Sequence, residues 1–159
     1  MDAKYINPFI DSFYNVLPQI GFSNVTREDV AIKNNVESLG ILINLGIVGD
    51  IKGNIVYNIQ GENGKKIASK MMMGLPVEEL NEMAQSALSE LSNMLTANAG
   101  INFSNIGVNV NISTPTLMYG QDIKIKLNTD KILNIKIVAD DIPIDVNIAF
   151  EKIQIKSLD

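Results

Sequence analysis

The chain has 159 residues, 46% of them hydrophobic, and its 13 basic and 18 acidic residues give a net charge of −5. This acidic balance opposes the phosphate-neutralising surface that nucleic acid binding needs, so no nucleic acid partner is expected. The chain lacks cysteine and histidine, which excludes disulfides, thiol nucleophiles and thiolate metal sites and leaves carboxylates, amides, hydroxyls and lysines for any chemistry.

The N-terminal segment predicts a helix rather than an export signal. Apolar residues recur with helical spacing from Ala3 to Leu17, and Pro18 ends the pattern. Asp2 and Asp11 interrupt the segment, which has no basic start, and no run approaches the roughly 18 to 20 apolar residues of a membrane span. We therefore expect a cytoplasmic protein without a membrane partner, folded as a single domain over residues 1–159.

The next part of the chain predicts strands, a hairpin and a second helix. Residues 24–34 alternate weakly, and residues 38–59 hold two β-branched apolar runs joined by GDIKG, residues 49–53, whose glycines supply a hairpin turn. A helix fits residues 61–73, GENGKKIASKMMM. Its three methionines, residues 71–73, are interpreted as filling gaps in the core, with an adaptable binding surface as the alternative.

A third helix and a set of strands follow. The helix is predicted from about Glu78 to Asn98, with Gly100 ending it. Four segments then alternate as strands do, namely VNVNIST (108–114), DIKIKLN (122–128), ILNIKIVA (132–139) and IPIDVNIAFEK (142–152), with turn signals at 119–122 and 128–130 and a tail, 152–159, that extends the last strand or frays. This order predicts an α+β fold in which helices pack on a largely antiparallel β-sheet.

On the third helix a row of side chains follows one edge of the predicted core stripe. Ser86, Glu90, Asn93 and Ala97 are spaced by four, three and four residues, so their side chains are neighbours that face outward. A carboxylate can pair with a partner's lysine, and an amide can orient water for in-line attack on phosphorus. For the Glu-x-x-Asn pair alone, an ordinary solvated helix face is the favoured interpretation. The core stripe itself comprises Leu80, Met83, Ala84, Ala87, Leu88, Leu91, Met94 and Leu95.

A longer pattern contains this pair. Ser86-x-x-x-Glu90-x-x-Asn93 is followed, after twenty-one residues, by Pro115, and this resembles the signature of the CheC/CheX/FliY family of phosphatases, which dephosphorylate the chemotaxis response regulator CheY. A single copy of the signature fits the CheX members, because CheC-like members usually carry two. The resemblance covers essentially the whole chain and implies the CheC-like fold.

The resemblance also implies roles for individual residues. Glu90 would contact the active-site lysine of the phosphorylated CheY-type regulator, and Asn93 would position the attacking water. Ser86 and Ala97 would lie in the partner contact, and Pro115 would fix the strand or loop beside the helix. The chain would need no cofactor of its own, since the bound regulator supplies Mg²⁺, and it would form a homodimer through sheet edges.

Three other interpretations stay open at this point. A module of the same fold would bind the regulator, or the deamidase CheD, without hydrolysis. An unrelated α+β domain for a small ligand would show an apolar pocket with convergent polar groups far from Glu90. Asp140, Asp141 and Asp145 offer oxygen ligands for a cation, although their spacing favours an acidic turn.

Overall fold

A computed structural model describes residues 3–127, 129 and 131–151 of the chain. It contains short 3-10 turns at Ala3–Tyr5 and Leu17–Ile20 and the helices α1 (Asn7–Val16), α2 (Gly61–Met71) and α3 (Glu82–Asn105). The strands are β1 (Val25–Lys33), β2 (Val36–Glu37), β3 (Gly40–Gly49), β4 (Gly53–Gln60), β5 (Val110–Ile112), β6 (Thr116–Gly120), β7 (Lys124–Ile125), β8 (Ile132–Ala139) and β9 (Ile142–Phe150).

The strands form one large antiparallel sheet. Its order is β1-β8-β9-β4-β3, and both β5 and β6 pair with the far side of β3. Every strand pairing in the described part of the chain is antiparallel, including the small β2–β7 ladder. The predicted α+β fold with helices on an antiparallel sheet is therefore confirmed.

The main core lies between the helices and one face of this sheet. Phe9 of α1 meets Phe103 of α3 edge to face, with ring centroids 5.2 Å apart, and Phe13 meets Tyr57 of β4 at 6.1 Å. Such aromatic contacts combine large apolar burial with a defined geometry. A smaller cluster, Val36, Leu42, Val56, Ile132 and Ala149, covers part of the opposite face. The central strands are thus buried on both sides, and α3 is anchored along its length.

The first part of the prediction is largely confirmed. The hairpin around residues 49–53 joins β3 to β4, and the helix predicted over 61–73 is α2, which ends two residues early. The helix predicted from Ala3 to Leu17 is shorter, because 3-10 turns flank an α-helical segment of ten residues. Pro18 lies inside the second of these turns, and Gly21, with φ of 100°, ends it.

The predicted ends of the third helix are wrong. The helix begins at Glu82, because the Asn81 side chain accepts a 2.9 Å hydrogen bond from the Ala84 backbone N–H and caps it. It continues through Gly100 to Asn105. A side chain at Gly100 would sit 3.4 Å from Ile112 Cδ1, so this glycine allows β5 to pack closely on the helix and does not terminate it.

The strand pattern of residues 108–128 overestimates regular structure. VNVNIST forms only the three residues of β5, and DIKIKLN only the two of β7. The turn predicted at 119–122 overlaps β6, a strand that the pattern missed. Asn128 and Asp130 of the other predicted turn, and the tail 152–159, lie outside the described residues. The single-domain interpretation stays a prediction.

Candidate functional site on helix α3

The row on α3 faces outward, as its spacing predicts. Ser86, Glu90, Asn93 and Ala97 are all exposed, and they fall within an arc of about 60° at 100° per residue. The buried side chains of α3, among them Leu88, Leu91, Leu95 and Phe103, lie on the opposite side. The predicted core stripe is correct for these leucines.

Met83 is the exception to that stripe. The helical pattern predicts a core position for it, but its side chain is 66% exposed. The buried arc of α3 includes Ser92, Thr96 and Ala99 and so is centred farther round the helix than the sequence pattern suggested. Met83 consequently shares the face of Glu90, seven residues away, because seven residues complete almost two turns.

A cleft runs along this row on one side of α3. Its volume is about 510 Å³, and its far wall is the connection between β5 and β6. The lining residues are Glu82, Gln85, Ser86, Ser89, Glu90, Asn93, Thr114, Pro115 and Leu117. The fold therefore brings Pro115 to the cleft that Ser86, Glu90 and Asn93 line, while Ala97 lies one turn beyond it.

Sequence reasoning missed several of these cleft residues. Glu82 and Ser89 continue the row at the same spacings of four and three, so extending the pattern would have found them. Thr114 and Leu117 carry no such signal, since only the pairing of β6 with β3 brings them to the helix.

Hydrogen bonds to the central strands β3 and β4 hold both walls of the cleft in place. On the strand side, Ser113 exchanges hydrogen bonds with Gly46 of β3, at 2.9 Å through its backbone N–H and 2.7 Å through its hydroxyl. On the helix side, Thr96 donates to the Ser92 carbonyl, so the Tyr57 hydroxyl donates to Thr96, with 2.8 Å between the oxygens. Burial raises the pKa of Tyr57 far above its ordinary value, which keeps this donor neutral.

The charge of the cleft limits the chemistry it can perform alone. Two carboxylates, Glu82 and Glu90, line it, and none of its lining residues is cationic. No cluster of three or more histidine, cysteine, aspartate or glutamate side chains suitable for a metal occurs among the described residues. A phosphoryl group would therefore be repelled unless a partner supplied the positive charge.

Of the three aspartates considered as cation ligands, Asp140 and Asp141 form a turn, whereas Asp145 lies within β9 opposite Lys136. Asp140 and Asp141 adopt positive φ values of 46° and 68° between β8 and β9. The Asp140 carboxylate accepts hydrogen bonds from the backbone N–H groups of Ser23 and Asn24, at 2.8 to 3.1 Å, and lies 3.7 Å from Lys70 Nζ. This matches the acidic-turn interpretation, in which Asp140 joins the β8–β9 turn to the loop before β1.

We predict that Asp140→Asn lowers thermal stability at pH 7. The two backbone N–H groups, and then Lys70, lower the pKa of the Asp140 carboxyl in the folded protein. Its contribution is present above the ordinary pKa of about 4 and is lost as the pH falls through the lower folded value. Melting curves should separate variant from wild type at pH 7 and converge as the pH falls below the folded pKa of Asp140. The exposed neighbour Asp141, changed to Asn, is the control, and a pH-independent difference would contradict the prediction.

Two of the three methionines of residues 71–73 fill the core as predicted. Met71 and Met72 pack partly buried against it, but the prediction is wrong for Met73, whose side chain is 97% exposed. Asn15 of α1 donates to Asn98 of α3 at 3.1 Å, which ties the two helices together. The apolar cavity beneath α3 measures only about 10 Å³, too small for a ligand.

Comparison with known proteins places these features in a family. The family model described as "Chemotaxis phosphatase CheX" matches residues 41–137, which include the whole row on α3 and Pro115. This chain belongs to the CheX family. A curated relative, the CheY-P phosphatase CheX of Thermotoga maritima, is 32% identical over 127 residues, covering 79% of this chain and 82% of the relative. The predicted resemblance and the prediction of a protein phosphatase are thereby confirmed.

Solved CheX structures share the fold. The CheX protein of Desulfovibrio desulfuricans superposes with a TM-score of 0.81 at 20% identity, covering 92% of this chain and 99% of that one. The CheX of the CheX–CheY–BeF₃–Mg²⁺ complex from Borrelia burgdorferi has a TM-score of 0.79 at 24% identity, covering 93% and 98%. As for the membrane, none of the described helices has the length and apolar character needed to cross one.

Proposed function

We propose that this CheX family member hydrolyses the phosphoaspartate of a phosphorylated CheY-type response regulator. The observation that carries the proposal is the exposed Glu90–Asn93 pair on an acidic cleft without a cation of its own. Such a site is incomplete by itself and needs a partner that brings both phosphoryl group and positive charge. The named activity of the Thermotoga relative and the composition of the Borrelia complex support that partner.

In this proposal Asn93 and Glu90 have different roles. The Asn93 amide, donor and acceptor at once, holds a water molecule in line with the phosphorus–oxygen bond of the phosphoaspartate. The Glu90 carboxylate pairs with the regulator's lysine, which aligns the two proteins. The water oxygen bonds to phosphorus as the bond to the aspartyl oxygen breaks, giving inorganic phosphate and a free carboxylate. Mg²⁺ held by the regulator stabilises charge on the phosphoryl oxygens.

The flanking residues would contact the regulator without taking part in the chemistry. Ser86 lies one turn before Glu90 and Ala97 one turn after Asn93, so both would lie within the contact made by the pair. The short side chain of Ala97 would allow the backbone of the partner to approach.

The test is the decay of phosphate on a purified CheY-type regulator with Mg²⁺, with and without this protein. Substoichiometric protein should shorten the lifetime of the phosphoaspartate, because each molecule acts repeatedly. Binding to the regulator, or to CheD, with decay at the spontaneous rate would instead identify a non-catalytic module. The cytoplasmic location stays a prediction.

We further propose that the protein forms a homodimer through β1. The segment ILNIKIVA is β8, which lies between β1 and β9, so its edges are already paired. β1 is one edge strand of the sheet, with β5 and β6 at the other edge, and no described strand pairs with its outer side. Val30 and Ile32 are 54% and 63% exposed on it, although their cross-strand partners belong to the main core. A second copy of β1 would cover both.

We predict that Ile32→Lys converts the dimer to a monomer, because a lysine on each copy would place two like charges in the new ladder. Light scattering at micromolar concentration is the measurement. Val48→Lys, at a similarly exposed position near the end of β3, should leave the mass unchanged. A wild-type protein of monomer mass would overturn the proposed dimer.

A further inference from the structure

The outward row of α3 is longer than the four residues of the predicted contact. Met83 precedes it and Ile101 follows it, so the row runs Met83, Ser86, Glu90, Asn93, Ala97 and Ile101 at spacings of three, four, three, four and four. At 100° per residue all six positions fall within an arc of about 80° and extend over about 27 Å. They form a single ridge, which we call the α3 ridge.

The two ends of the α3 ridge differ in chemistry from its middle. Met83 and Ile101 are 66% and 60% exposed and are the large exposed apolar residues of the helix. Between them lie the hydroxyl, carboxylate, amide and methyl groups of Ser86, Glu90, Asn93 and Ala97. Large apolar side chains exposed on the same ridge as polar groups can be buried by a partner protein, which the polar groups then orient.

The Met83 end is part of a wider apolar surface. Met83 and Leu75, which is 59% exposed, line a depression of about 470 Å³ in the connection between α2 and α3. We call these two residues and the depression the Met83 patch. It begins about 10 Å from Glu90, two helical turns away, and so continues the proposed contact surface.

The rim of the Met83 patch is acidic. Glu78 and Glu79 line the same depression, and Glu82, next to Met83 in sequence, lines the near end of the cleft; all three are exposed. The complementary surface is apolar at its centre with basic residues around it. A second acidic copy of this chain, with net charge −5, does not offer that complement.

We propose that the Met83 patch is a docking site for the same response regulator, occupied by an apolar, basic-rimmed surface about 10 Å from the phosphorylated aspartate. The inference rests on the proposed function and adds to it the residues that position α3 on the regulator. Glu90 and Asn93 are short side chains whose effect depends on placement to within about 1 Å. Anchoring Met83 two turns away fixes both the rotation and the axial position of α3 over the regulator. Met83 and Leu75 are therefore positioning residues.

The test compares kcat and KM for regulator dephosphorylation in Met83→Gln and in Met83→Gln/Leu75→Gln. Glutamine keeps the length and helix propensity of methionine, so α3 should remain intact. The matched control is Val48→Thr, another polar replacement at an exposed apolar position, on the sheet face that carries Leu42. We expect KM to rise roughly tenfold in the double variant, with kcat within about twofold of wild type.

Each other outcome has a definite meaning. A KM equal to that of wild type, or a loss confined to kcat, would overturn the docking site while leaving the phosphatase in place. A rise in KM accompanied by loss of the dimer in light scattering would assign the patch to self-association and also overturn it. A wild-type protein that leaves decay at the spontaneous rate would overturn the proposed function and this inference together, and is seen before any variant is compared.

Discussion

Replacing Asn93 by alanine is expected to lower kcat for regulator dephosphorylation by about 100-fold or more, with little change in KM. The amide of Asn93 is exposed on the cleft wall, so its removal leaves no cavity and does not disturb the core of α3. In the proposed mechanism Asn93 orients water in the transition state, and losses of one such preorganised group are about 10²- to 10³-fold. Single-turnover decay of the phosphorylated regulator measures the effect.

The controls separate chemistry from binding. Asn105→Ala removes an exposed asparagine from the end of the same helix and should leave kcat and KM unchanged. Glu90→Gln keeps the shape of Glu90 but removes its charge, so it should raise KM by weakening the proposed pairing with the regulator's lysine. Full activity of Asn93→Ala would show that another group positions the water.

Gly53→Ala is expected to lower the free energy of unfolding by about 3 kcal/mol. A Cβ at Gly53, the first residue of β4, would overlap the carbonyl oxygen of Ala149 and lie 3.0 Å from both its carbonyl carbon and the Cα of Phe150. All three atoms belong to the backbone of β9 and cannot rotate away. The end of the β4–β9 ladder would have to open, which urea unfolding followed by circular dichroism would detect.

Gly61→Ala is the matched control for this prediction. Gly61 is the first residue of α2, and an added Cβ there has no heavy atom within 4 Å. Alanine also restricts the unfolded chain more than glycine does, so stability should be unchanged or about 0.5 kcal/mol higher. Equal unfolding midpoints for Gly53→Ala and wild type would mean that β9 moves at no cost.

The glycines of the GDIKG turn show which structural roles a local sequence pattern can predict and which it cannot. GDIKG predicts the hairpin turn because glycine is favoured in turns, and Gly49 indeed has φ of 126°. The pattern does not distinguish its second glycine, whose small size is required by β9, nearly a hundred residues away in sequence. The local pattern likewise predicts a helix end at Gly100, because glycine is common there. In the structure its small size instead allows β5 to pack closely on α3.

The sequence by itself determined the fold class, the hairpin, helix α2 and the outward placement of Glu90 and Asn93. Each depends on the period of a helix or strand or on turn chemistry, which backbone geometry sets over a few residues. Tertiary structure decided that Pro115 forms the opposite cleft wall, that Met83 belongs to the α3 ridge and that β1 is an edge strand of the sheet. Those outcomes depend on contacts between distant segments, and a local period carries no information about which segment will cover a given face.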